Sequence, residues 1–88
     1  MNYNLNSPMD WETFKSMPVD LQAEYLNSLH TRFNVGVAAI CKDVFSIKPA
    51  MLRQHMKRHG LEMPKGKRLD VLERAVWWLW LHGRTVPQ

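Results

Sequence analysis

A chain of 88 residues that is 45% hydrophobic and 23% charged suits one small domain and is too apolar for a disordered segment. Its single cysteine, Cys41, excludes an intramolecular disulfide and fits a reducing compartment. The net charge is +4, which sets aside an acidic mimic of DNA and favours a polyanionic partner.

That charge is unevenly spread. Residues 1–41 hold two bases against four acids, and residues 42–88 hold ten against four. Between Lys48 and Arg68, seven bases face a single acid, Glu62. A solvated helix face can also be basic, so charge alone does not choose between the two readings. The opening "MNYNLNSPMDWE" has neither the basic nor the apolar region of a signal peptide. The longest apolar run, "AVWWLWL" from Ala75 to Leu81, is far shorter than the roughly 20 residues that span a bilayer. A cytoplasmic protein without a membrane partner is expected.

No alternating run reaches strand length and no Asn-Gly or Asp-Gly hairpin signal occurs. An all-α fold is therefore expected, a compact bundle of about five helices in one domain. Ser7-Pro8 reads as a helix start, with Ser7 capping and Pro8 first. It predicts a short helix from Pro8 to Ser16 with Trp11 and Phe14 on one face. Pro18 opens a longer helix to Phe33, whose apolar stripe is Leu21, Tyr25, Leu26, Leu29 and Phe33. Asn34 and Gly36 stop it, which closes an N-terminal helical part over residues 1–36.

A third helix is expected from Val37 to Val44, with "FSI" as the turn. A fourth runs from Lys48 to His59, tolerating Pro49 in its first turn. Leu52 and Met56, joined by Met51, form its inner line, and Gly60 ends it. Residues 61–67 read as a basic loop marked by Pro64 and Gly66. The last helix is expected from Arg68 to His82, facing inward through Leu69, Leu72, Val76 and Leu79, and ended by Gly83.

Two short helices joined by a tight turn, the second one basic, form the unit that enters a major groove. The stretch "CKDVFSIKPAMLRQHMKRHG" resembles the helix-turn-helix of small bacterial and phage regulators and of recombinase-type DNA-binding domains, over about twenty residues. The frame ahead of it, "MDWETFKSMPVDLQAEYLNSL", resembles short phage-encoded proteins of this kind. The resemblance implies that Cys41 is the small residue at the helix crossing, with Val44 and Ile47 packing on either side of the turn. Leu52 would then lock the second helix to the first. Two features depart from the family pattern. Phe45-Ser46 stands where glycine is usual, leaving Ser46 to adopt a left-handed conformation at some cost. The spacing from Cys41 to Ile47 is also one residue longer.

Docked as the resemblance implies, the second helix would turn Lys48, Ala50, Arg53, Gln54 and Lys57 outward. Arg53 suits guanine and Gln54 suits adenine as bidentate readers. Lys57, Arg58 and Lys42 suit phosphates. Lys65, Lys67 and Arg68 of the loop would follow a backbone or enter a minor groove. The alternatives are an ordinary solvated face for the helix and a polar linker for the loop.

Other chemistry finds little support. His55 and His59 are four apart, but the zinc motifs are absent and neither metal nor cofactor is expected. Cys41 has apolar neighbours and no evident base. The carboxylates are scattered, with no close pair for acid–base work, and no enzyme is expected.

The run "VWWLWL" spreads three tryptophans around one helix. Either all three cap the monomer core with Trp11, or Trp77, Trp78 and Leu81 meet a second subunit. The expectation is a phage-encoded, homodimeric transcription regulator that reads double-stranded DNA with residues 48–59. The rival is an anti-CRISPR protein that blocks a Cas effector or its guide RNA with the same basic face. A structural adaptor rests on the tryptophans alone.

Overall fold

The computed structural model describes residues 4–82. Five α-helices follow one another: α1, Trp11–Ser16; α2, Val19–Phe33; α3, Val37–Ile40; α4, Pro49–His59; and α5, Val71–Leu81. A π-helical turn, Cys41–Phe45, continues α3 without a break. No strand occurs among the described residues, and the all-α bundle of about five helices stands.

Helix α1 begins three residues later than Ser7-Pro8 predicted. Asp10 is its cap, accepting the Thr13 N–H at 2.8 Å. A carboxylate serves the positive end of a helix better than a serine hydroxyl. Ser7 instead anchors α2, through a carbonyl that accepts the Tyr25 hydroxyl at 3.0 Å. Pro18 is likewise the residue before α2, where its carbonyl accepts the Leu21 and Gln22 N–H groups at 3.0 Å. Asn34 ends α2 in the left-handed region, with φ at 61°, as its small polar side chain permits.

The third helix runs one residue past its expected end, and Phe45 belongs to it. The turn after it is Ser46, Ile47 and Lys48, with Ser46 left-handed at φ 55°. Bonds from residue i to i+5 close a wider ring than α bonds do, so a π turn takes up one extra residue. It thereby absorbs the long spacing between Cys41 and Ile47. The extra residue also brings Phe45 into the core, 4.9 Å from Phe14 between ring centroids.

Pro49 is the first residue of α4, where its missing N–H costs nothing. Gly60 is left-handed at φ 69°, and the Leu61 N–H returns to the Met56 carbonyl at 2.8 Å. Leu61 is buried beside it, as such a helix end requires. Leu52 and Met56 face inward, but Met51 is 46% exposed and does not join them.

Helix α5 differs most from expectation. It starts at Val71 rather than Arg68, because Asp70 and Glu73 form a reciprocal capping box. Its core-facing residues are Trp77, Trp80 and Leu81, not Leu72, Val76 and Leu79. Trp77 is buried and donates its indole N–H to Asp43 at 2.8 Å. Trp80 donates to the Asn6 carbonyl at 2.8 Å. Both tryptophans lie against Phe33, at 5.1 and 5.2 Å between centroids. Trp77 is therefore a core residue and Leu81 is half-buried, and of the three expected interface residues Trp78 alone is exposed. Gly83 lies outside the described residues.

The core has two aromatic ends. Trp11, Phe14, Phe45 and His55 form one, and Phe33, Trp77 and Trp80 form the other. Leu26, Leu29, Ile40, Cys41 and Leu52, all fully buried, fill the interior.

Candidate nucleic-acid interface

Helix α4 is basic: its eleven residues include Arg53, Lys57 and Arg58 and no acid. Packing fixes its orientation: Leu52 is wholly buried and Met56 nearly so. The opposite side therefore faces solvent, and Ala50, Arg53, Gln54, Lys57 and Arg58 are all exposed, as is Lys48 just before the helix. Every residue expected to face outward does so.

Consecutive residues on a helix point about 100° apart, so Arg53 and Gln54 diverge. Arg53 leans toward a cleft of about 310 Å³ bordered by Gly36, Ala38 and Ala39 on one side and by Lys65, Gly66 and Lys67 on the other. Gln54 and Arg58 border a second cleft with Trp11, Lys15 and Met51. Neither cleft is lined by a carboxylate. Lys42 borders a third, with Lys67, Arg74 and Trp78. The acid beside it, Asp43, is bonded to the Trp77 indole. Lys48, Lys57 and Arg68 are exposed and border neither of the first two clefts.

The loop after α4 is tied down. Leu61 is buried and Met63 half-buried. The Lys67 N–H donates to the Asn34 carbonyl at 3.1 Å. Gly66 lies back to back with Gly36, so closely that a Cβ on either would collide with the other's backbone. Lys65 is thus held at the edge of the Arg53 cleft. Lys67 is partly spent: its ammonium sits 2.9 Å from Glu73, which also accepts from Asn34 at 3.1 Å. That partnership holds the Glu73 carboxyl below the ordinary range, first through Lys67 and then through the Asp70 N–H.

Among the described residues the ion pairs are Lys67–Glu73 and Lys15–Glu12. Lys42, Lys48, Arg53, Lys57, Arg58, Lys65 and Arg68 take part in neither. Cations without partner carboxylates are the ones that gain most from a phosphate.

Two contributors were not among the expected site residues. Lys15 and Trp11 come from α1, about forty residues earlier in the chain, and only the packing of α1 on α4 brings them to Gln54. The aromatic–basic pair "DWETFK" is the sequence trace they leave. Lys15 lies 5.4 Å from the Trp11 ring centroid.

Cys41 is fully buried, and burial pushes its thiol up to about 11, with Arg53 opposing. A thiol so placed stays protonated near neutrality and is a poor nucleophile. Among the described residues no three His, Cys, Asp or Glu side chains gather to hold a metal ion. No helix there is long and apolar enough to cross a membrane. Compared with known proteins, the chain matches no family model, no curated protein and no solved structure.

Proposed function

We propose that the chain is a sequence-selective binder of double-stranded DNA, a transcription regulator that presents α4 to the major groove. The carrying observation is the set of cations on one acid-free helix, Arg53, Lys57 and Arg58, that enter no ion pair among the described residues, extended by Lys65 across the Arg53 cleft. Arg53 and Gln54 read base edges, with Ala50 between Lys48 and Arg53 keeping the helix surface low enough for close approach. Lys42, Lys48, Lys57, Arg58, Lys65 and Arg68 contact phosphates. Lys67 contributes less, because Glu73 already neutralises much of its charge.

The test is a shift assay over a series of salt concentrations with random duplex, genomic duplex and a structured RNA. Affinity for duplex should fall steeply with salt, and Lys57→Ala should lower the log–log slope by about 0.9 without changing sequence preference. Arg53→Ala/Gln54→Ala should instead erase the preference, by about 1–3 kcal/mol for each reading residue lost. No duplex binding at low salt overturns the proposal. Selective binding of the RNA would favour the rival reading, an inhibitor that engages a guide RNA.

A further inference from the structure

Among the described residues nothing covers the outer face of α5. Val71 is 83% exposed, Leu72 77%, Val76 53%, Trp78 54% and Leu79 42%. Ala75 lies among them and is exposed too. At 3.6 residues per turn these six positions cover an unbroken arc of about 160°. The charged residues of the helix, Glu73 and Arg74, lie outside that arc. The core occupies the other side, through Trp77, Trp80 and Leu81.

We propose that this face pairs with the same face of a second copy of the chain, α5 against α5 in antiparallel orientation. Two arguments select a second copy. The first is area. At ordinary residue areas the five large side chains expose roughly 600 Å² per copy, at the upper end of what a monomer tolerates. Complete coverage of both faces would remove about 1,200 Å² from water, which reaches the lower end of the range for a specific interface.

The second is self-complementarity, which a twofold interface demands. An antiparallel pair centred between Ala75 and Val76 sets Leu72 opposite Leu79 and Ala75 opposite Val76. The two leucines then meet each other and a small residue meets a branched one, while Trp78 and Val71 flank this centre. The same arrangement opposes the helix dipoles and brings the Asp70 cap of one copy toward His82 of the other. None of the five large residues borders the two clefts beside α4, so pairing leaves that helix accessible; Trp78 alone comes near a proposed phosphate contact, sharing a cleft with Lys42.

Sedimentation equilibrium of the full chain should return twice the monomer mass of 10.4 kDa at micromolar concentration. Val76→Glu and Leu72→Glu, both at exposed positions, should each halve the mass while the far-ultraviolet dichroism stays that of the wild type. Lys57→Glu, on α4, should leave the dimer intact. Ala75→Cys should form a disulfide between copies under mild oxidation, since the residue is exposed, near the middle of the arc and beside the twofold axis. A monomer at all concentrations up to about 100 μM overturns the proposal. So does a dimer that survives both glutamate variants, or a face that binds neutral lipid vesicles while the protein stays monomeric.

Discussion

Gln22 is 2% exposed, and its amide is used at both ends. Its nitrogen donates to the Met17 carbonyl at 2.8 Å and its oxygen meets His55 Nε2 at 2.7 Å. Since the amide oxygen only accepts, His55 must carry its proton on Nε2. One side chain of α2 thus joins the end of α1 to the middle of α4. His55 also lies edge-on to Trp11, 5.1 Å between ring centroids. Burial lowers its pKa from the ordinary value of 6.5, and His59, Arg58 and Lys15 add to the effect. The sign of the pH dependence follows. The folded state disfavours the imidazolium, so the unfolded chain binds more protons just below pH 6.5, and stability there rises with pH. Urea titrations should show stability independent of His55 above about pH 6.5 and declining as pH falls below it. His55→Gln, which keeps a donor for Gln22, should remove that part of the decline; an unchanged slope would show that another group causes it.

At the scale of elements, the passage from α3 to α4 depends on two local solutions, the π turn and Ser46. Ser46 holds a left-handed conformation at φ 55°, which costs an L-residue roughly 1–2 kcal/mol and glycine almost nothing. Ser46→Gly should therefore raise stability, by about 0.5–1 kcal/mol once the extra freedom of the unfolded glycine chain is deducted. Thermal denaturation checks it, and a loss of stability would show that the serine makes a compensating contact. This turn was legible in the sequence because the requirement is local: Ser46 is the small polar residue available between Phe45 and Ile47. The outward face of α4 was legible too, since Leu52 and Met56 are its apolar line at helical spacing and the bases fall opposite. Helix α5 was not. Leu72, Val76 and Leu79 form as good an apolar line as Trp77, Trp80 and Leu81, and periodicity cannot rank two apolar faces of one helix. What decides is tertiary: Phe33 offers a ring to Trp77 and Trp80, and Asp43 and the Asn6 carbonyl satisfy their indoles. The start of α1 is ambiguous for a related reason, because Ser7 and Asp10 both carry cap chemistry and the carboxylate wins.

At the scale of the whole molecule, the contact that most binds fold to candidate site joins residues thirty apart. Gly36 opens α3 and Gly66 lies in the basic loop, and their backbones touch where neither can carry a side chain. Around them Asn34 accepts the Lys67 N–H, and Asn34 and Lys67 share Glu73 of α5. The end of α2, the start of α3, the loop and the first turn of α5 are one connected set. Each glycine alone reads as a stop signal or a loop marker, and nothing in the sequence pairs them. The pairing makes Lys65 a fixed neighbour of Arg53 rather than the tip of a flexible arm. Gly66→Ala tests this directly. Its methyl group must displace the loop or the start of α3, so stability should fall by about 1–3 kcal/mol, as overpacking does. If Lys65 acts from its fixed position, the loop's displacement should also lower duplex affinity and reduce the log–log salt slope by about 0.9, one phosphate contact. Lys65→Ala should reproduce the slope change without the loss of stability, because that side chain is exposed and takes part in neither ion pair. If Gly66→Ala destabilises the chain but leaves the salt slope of wild type, the loop is a structural strap and the DNA surface is confined to α4.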